Sequence, residues 1–263
     1  MRIARFSHDG EVSFGIVEGP GNDPADLVVR AVEGHPFAPL VPTGVVHPLA
    51  GVRLLSPVLP SKVVCIGKNY ADHIAELGGS LGDTPADPVV FLKPSTSVVG
   101  PGDPIQLPRN SSRVDHEAEL AVVIGRLGRE VPRERALDVV LGYTCANDVT
   151  ARDHQKQDVQ WTRGKSHDSF CPLGPWVETE LDVRDVAVRC AVDGEMRQDG
   201  RTSHLLHDVP AVIAWVTAFM TLLPGDVILT GTPAGVGPLV PGNAVTVLVE
   251  GIGPLTNPVM ARP

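Results

Sequence analysis

Glycine and proline interrupt this chain at 27 and 25 of its 263 positions, along its whole length. Both residues favour turns over helix or strand interiors, so long helices have little room. The expected architecture is therefore a β-rich α+β fold with few helices, not a helical bundle. A hydrophobic fraction of 43% with 20% charged residues is enough for a packed core and argues against disorder. The net charge is -9, with no basic stripe, which excludes a nucleic-acid or anionic-membrane partner from the expectation.

The chain opens with two apolar runs around Asp9-Gly10, the pattern of a β-hairpin. Residues 18–51 show no sustained period. Residues 1–55 thus read as a small N-terminal β domain, and 56–263 as the main domain. The first six residues carry two arginines and no apolar leader. Cys65, Cys145, Cys171 and Cys190 form no CxxC pair, so free thiols in a cytoplasmic protein are expected. The uncharged run 209–224 is shorter than the ~20 residues a bilayer needs and is expected as a buried helix. Asp208 would cap it, Pro210 would lie in its first turn, and it would end near Leu223. Further strands are expected at 62–66, 89–92, 142–147, 186–192, 227–230 and 244–249, the last two closing the fold. Short helices are expected at 70–77, capped by Asn69, and at 134–140.

Chemistry concentrates in Glu117-Ala118-Glu119-Leu120-Ala121-Val122-Val123-Ile124. Residues two apart on a strand share a face, so both glutamates would point the same way as Ala121 and Val123. Close carboxylates in an apolar setting either share a proton or hold a cation. Asp148, ending another apolar run, offers a third. Three oxygen donors without a cysteine pair suit Mg²⁺ or Mn²⁺ rather than zinc. The competing picture is a strand with one wet face and two solvated glutamates.

His73 and Glu76 are three apart on a predicted helix, the spacing of an imidazole oriented by a carboxylate. The glycine-rich loop 78–88 that follows has the composition of a lid. Lys165 could bind a carboxylate or steady an enolate oxygen, while Arg152 and Gln155 read only as a polar turn after Asp148. The loop Thr230-Gly231-Thr232-Pro233-Ala234-Gly235-Val236-Gly237 lacks a P-loop ending. Its backbone N–H groups and the Thr232 hydroxyl are expected to receive a carboxylate. Ser166-His167-Asp168 are adjacent and cannot converge as a triad, which excludes a serine hydrolase.

Five segments in order carry a resemblance: Ile66-Gly67-Lys68-Asn69-Tyr70-Ala71-Asp72-His73, Phe91-Leu92-Lys93-Pro94, Asp115-His116-Glu117-Ala118-Glu119-Leu120, Asn147-Asp148-Val149-Thr150-Ala151-Arg152-Asp153 and Leu229-Thr230-Gly231-Thr232-Pro233. Together they resemble the fumarylacetoacetate hydrolase family. The resemblance implies a mixed β-roll or β-sandwich, a homodimer, and one Mg²⁺ or Mn²⁺ held by Glu117, Glu119 and Asp148. It implies His73 and Glu76 as the water-activating dyad, Lys165 as a catalytic cation, and Gln155, Thr232 and Arg152 as substrate-binding residues. The implied substrate is a small 2-oxo or dicarboxylic acid. The leading expectation is hydrolytic C–C cleavage of an acylpyruvate such as fumarylpyruvate. The alternatives are isomerisation and decarboxylation of 2-hydroxyhepta-2,4-diene-1,7-dioate, decarboxylation of oxaloacetate, and, from another class, a non-enzymatic Ca²⁺-binding module.

Overall fold

The computed structural model describes residues 1–76, 78 and 84–262. Its central strand, Ala118–Ile124, is buried at all 7 positions. Val140–Asn147 pairs along one edge and Val227–Leu229 along the other. A strand buried on both faces needs a nearly continuous apolar run, and this one has it apart from Glu119. Leu120, Val122 and Ile124 enter the larger core, whereas Ala121 and Val123 enter a smaller one with Cys65, Ala146 and Leu229. Glu119 therefore shares the side of Ala121 and Val123, as the alternation predicts. The strand with one wet face is ruled out, because this strand is central and dry.

In neighbour order the large sheet runs Val41–Pro48, Val28–Glu33, Glu11–Glu18, Arg2–His8, Cys171–Glu178, Val140–Asn147, Ala118–Ile124, Val227–Leu229, Val63–Gly67 and Val89–Lys93. Val227–Leu229 and Val63–Gly67 are parallel within an otherwise antiparallel path, so the sheet is mixed. A second sheet of 5 strands, including the hairpin Ala187–Val192 and Glu195–Arg201, packs across its face. Val188, Val247 and Leu255 from the second sheet meet Leu120 and Val122 in the main core. Helices are few and short, the β-rich α+β fold expected.

The N-terminal hairpin turns through Asp9 (φ 49°) and Gly10 (φ 85°), both left-handed as a two-residue hairpin turn of this hand requires. Two strands the sequence did not disclose, Val28–Glu33 and Val41–Pro48, follow it. Arg2 and Ile3 pair with Glu178 and Val177, so the N-terminal strands extend the large sheet.

Asp208 caps the helix Val209–Thr217 by accepting from Ala211 N at 2.9 Å. The helix stops short of Leu223, because Leu222 instead exchanges backbone hydrogen bonds with Gly128. Residues 134–140 lie largely in the 3₁₀ helix Arg133–Val139. Asn69 does not cap the helix Ala71–Glu76: its side chain donates to the carbonyls of His207 (2.9 Å) and Thr230 (2.8 Å) and accepts from His207 N. Ala244–Val249 is not the last strand; Gly253–Ala261 follows, its alternation obscured by Pro254 and Pro258. Of the expected lid, residues 79–83 lie outside the described residues. All four cysteines are free and buried. Among the described residues no helix is long and apolar enough to cross a membrane.

Candidate active site

Ala118 pairs with Asn147 across the two central strands, so the residues just beyond, Glu117 and Asp148, become neighbours. The Asp148 N–H donates to Glu117 O at 2.8 Å, and the Glu117 N–H donates to Asn147 Oδ1 at 2.9 Å. Glu119 lies one pair further in. Glu117, Glu119 and Asp148 each bring one oxygen to within 4.8 Å of the others, and all three are buried.

Basic side chains answer two of the three acids. Lys165, at the end of the single-turn helix Thr162–Lys165, donates at 2.7 Å to both Glu117 Oε2 and Asp148 Oδ2. Arg152 Nη1 lies 2.6 Å from Glu117 Oε1, while its Nε donates to Asp115 Oδ2 at 2.8 Å. Lys93 is 1% exposed and donates to the carbonyls of Val149 and Lys165. Its Nζ lies 2.8 Å from Asp148 Oδ1 but off the hydrogen-bonding direction, which leaves that oxygen without a hydrogen-bond partner among the described residues. Among the described residues no basic side chain pairs with Glu119, which accepts the Gly231 N–H at 2.6 Å.

The electrostatics follow from this unequal pairing. Burial opposes the Glu117 carboxylate, but Lys165, Arg152 and His73 outweigh it and hold its pKa below the usual range. Burial likewise opposes the Lys165 ammonium, and Asp148 and Glu117 more than compensate. Glu119 goes the other way: burial, then Asp148 and Glu117, push it well above the carboxylate range. A divalent cation relieves such a cluster, and the donor set is all hard oxygen. Cys65 and Cys171 pack behind the acids, but burial raises both thiols, Cys171 to about 12, so they remain protonated and offer no soft thiolate. These residues fit Mg²⁺ or Mn²⁺ and do not fit a zinc–thiolate site.

His73 is buried on the helix Ala71–Glu76, with Nδ1 3.4 Å from Glu76 Oε2. Glu76 Oε1 in turn accepts the Gly235 N–H at 3.0 Å. The glycine loop therefore does receive carboxylates on its backbone, but they are the protein's own Glu119 and Glu76. The left-handed φ of Gly231 (103°) and Gly235 (98°) shapes the loop for this. The Thr232 hydroxyl is engaged elsewhere, donating to Ala118 O and accepting from Gln198 Nε2, both at 2.8 Å.

A cleft of about 570 Å³ joins the two halves of the site. All of His73, Glu76, Glu117, Glu119, Asp148, Arg152, Gln155, Lys165 and Thr232 line it, together with Phe91, Trp161, Lys68 and Arg113. Gln155 presents its Oε1 to Arg152 Nη1 at 3.1 Å. Three residues of the site escaped sequence reasoning. Lys93 ends an apolar strand, a signal of the same kind as the glutamates. Asp115, which receives both Arg113 and Arg152, precedes the acidic run. Gln198 lies in a polar hairpin with nothing to mark it.

Comparison with known proteins adds a family model, described as fumarylacetoacetate (FAA) hydrolase C-terminal, that matches residues 62–260. The chain belongs to the fumarylacetoacetate hydrolase family. A second model, Rv2993c-like N-terminal, matches residues 1–57. Among family structures, 2-hydroxyhepta-2,4-diene-1,7-dioate isomerase from Mycobacterium marinum is 52% identical, covering 100% of this chain and 99% of its own, with a TM-score of 0.92. Fumarylpyruvate hydrolase from Pseudomonas aeruginosa, solved with Mn²⁺ and pyruvate, is 31% identical over 77% of this chain and 91% of its own, with a TM-score of 0.72. The mitochondrial oxaloacetate decarboxylase of Dictyostelium discoideum is 41% identical over 73% of this chain and 89% of its own. These relatives are named as enzymes, so the non-enzymatic Ca²⁺ module gives way to a family enzyme.

Proposed function

We propose that the protein is a divalent-cation-dependent hydrolase that cleaves a C–C bond in an acylpyruvate-type 2-oxo acid. One observation carries this reading: the His73–Glu76 pair and the Glu117–Glu119–Asp148 cluster line the same cleft. The three carboxylates would hold Mg²⁺ or Mn²⁺, which when bound supplies Lewis acidity toward the 2-oxo acid head. Glu76 takes the Nδ1–H of His73, leaving Nε2 as the basic nitrogen. His73 removes a proton from water as that water attacks the distal carbonyl. The C–C bond then breaks, its electron pair leaves with the pyruvate fragment as an enolate, and a proton returned by His73 completes the product. Lys165 holds a fixed positive charge at the floor of the cleft, where oxyanion charge develops. The Mn²⁺ and pyruvate in the Pseudomonas structure support this assignment.

A second reading is isomerisation or decarboxylation at the same site. It is favoured by the Mycobacterium marinum isomerase, which matches the whole chain where the hydrolase matches 77%. Product analysis with Mg²⁺ or Mn²⁺ over acylpyruvates, oxaloacetate and diene-dioates separates the two. Under the hydrolase reading, His73→Gln lowers acylpyruvate hydrolysis by roughly 10²–10⁴-fold and spares oxaloacetate decarboxylation. Full hydrolysis by that variant would refute His73 as the base, and turnover without hydrolysis in the wild type would establish the second reading.

A further inference from the structure

The loop 230–237 borders two cavities. Val236 lines the catalytic cleft and also a second cavity of about 580 Å³, to which Gly235 and Gly237 contribute. That volume is in the range of sites for small organic molecules. The buried polar side chain in its lining is His116, 1% exposed, at the end of the strand Val114–His116. Its Nδ1 lies 3.1 Å from Gln198 Oε1. The orientation of that amide is fixed, because Oε1 also accepts the Ala118 N–H while Nε2 donates to Pro233 O. His116 Nδ1 therefore carries the proton, and the neutral ring keeps its lone pair on Nε2. Among the described residues His116 Nε2 has no hydrogen-bond partner. It faces Gly237, its cross-strand neighbour, where a Cβ would meet this nitrogen at 3.5 Å.

Much of the remaining lining is apolar: Val192, Met196, Val236, Pro238 and Val240. Asp193 is already satisfied, since its carboxylate accepts Ala244 N and Asn243 Nδ2, each at 2.7 Å. Arg197 pairs with Glu195 at 2.8 Å, and its charge offsets that of Asp193 within the lining.

We infer that this cavity is an effector site for a small neutral molecule with one O–H or N–H donor on an apolar body, and that its occupancy steadies the loop 230–237. The donor meets His116 Nε2, and the apolar body packs on Val236 and Met196. A ligand without a donor would displace water and leave a buried acceptor unpaired, which costs affinity. An ionic ligand finds lining charges that already cancel. The loop is where an occupant is felt, because the Gly235 N–H that belongs to this lining also holds Glu76 Oε1 at 3.0 Å. A molecule seated against Gly235, Val236 and Gly237 restricts that N–H, and with it the Glu76 carboxylate.

The test uses phenol as the probe and anisole, the same ring without a donor, as its control, both titrated by calorimetry with Mg²⁺ present. Phenol should bind roughly tenfold tighter, the worth of one hydrogen bond. Nitrogen-15 spectra should show His116 Nε2 becoming hydrogen-bonded as phenol is added. Hydrogen exchange at the Gly235 amide should slow by about fivefold or more. His116→Leu should erase the difference between phenol and anisole, and it strands no buried partner, since Gln198 Oε1 keeps the Ala118 N–H. Val240→Trp, at a position 55% exposed, should fill the cavity and lose phenol binding with its melting temperature unchanged. Failure of phenol to bind, equal affinity for the two probes, or binding undiminished in both variants would overturn the site. Gly235 exchange unmoved by bound phenol would overturn its role as an effector site. No readout involves turnover, so these outcomes are independent of the hydrolytic reading.

Discussion

Glu119 is the least compensated acid of the cluster. Lys165 lies between Glu117 and Asp148, yet among the described residues Glu119 meets only a backbone N–H. In the cation-free protein its ionised form is therefore a cost. Glu119→Gln should raise cation-free stability near neutral pH by on the order of 1 kcal/mol while removing the thermal shift caused by Mg²⁺ or Mn²⁺. For a ligand at a hundredfold excess over Kd that shift is worth about 2.7 kcal/mol. Calorimetry with and without the cation reads both, and an undiminished shift in the variant would remove Glu119 from the ligand set. His167 supplies a separate pH signal. Its Nε2 lies 3.2 Å from His154 Nδ1, and burial, then His154, Arg262 and Lys93, lower its pKa below the ordinary 6.5. The unfolded chain thus takes up this proton first as pH falls, so the stability His167 contributes is present above about pH 6.5 and lost below it. His167→Asn should flatten the melting temperature against pH in that window and leave it unchanged above pH 7.5, roughly one unit higher.

The loop 230–237 is the element on which both halves of the site depend. Gly231 and Gly235 donate to Glu119 and Glu76, and Gln198 fastens the loop to the central strand. The buried Gln198 amide accepts from Ala118 N at 2.9 Å and donates to Thr232 Oγ1 and Pro233 O at 2.8 Å. Gln198→Leu would take this partner from the Ala118 N–H and the Pro233 carbonyl, at about 1–3 kcal/mol for each buried group left unpaired. A loss of roughly 2–4 kcal/mol in thermal or urea unfolding is expected, along with weaker cation binding. Unchanged binding would show that the loop holds its shape without this residue. The contrast with the acids explains what the sequence could disclose. Glu119 and Asp148 were legible because each charge breaks an apolar strand that must otherwise be dry. Gln198 was not, because its partners on Thr232, Pro233, Ala118 and His116 lie 34 to 82 positions away and its own hairpin is ordinarily polar. The same holds for Thr232, whose hydroxyl reads as a ligand group until the neighbouring Ala118 carbonyl is in place. Val28–Glu33 and Gly253–Ala261 stayed hidden for local reasons, a charge in one and two prolines in the other.

In the whole molecule, no residue before Ile66 lines the cleft among the described residues. The N-terminal strands nevertheless place Ala4, Phe6, Val17 and Val29 in the main core and cover the strand Cys171–Glu178. Removing residues 1–55 should therefore leave the catalytic lining intact but uncover a sheet edge beside Trp176 and Val177. The expected outcome is a lower melting temperature and concentration-dependent aggregation, seen by light scattering, with near-normal activity in the folded fraction. A monodisperse truncated protein of undiminished stability would contradict this. The seam at Cys171–Glu178 also orders events during synthesis. Met1 docks on Glu178, 177 positions away, so the strand Arg2–His8 waits for a partner made much later. At about 5–20 residues per second that wait is roughly 10–35 s. The early hairpin must carry an unpaired edge at Arg2 and Ile3 through that interval, which exposes the nascent chain to mispairing until the strand Cys171–Glu178 has been translated.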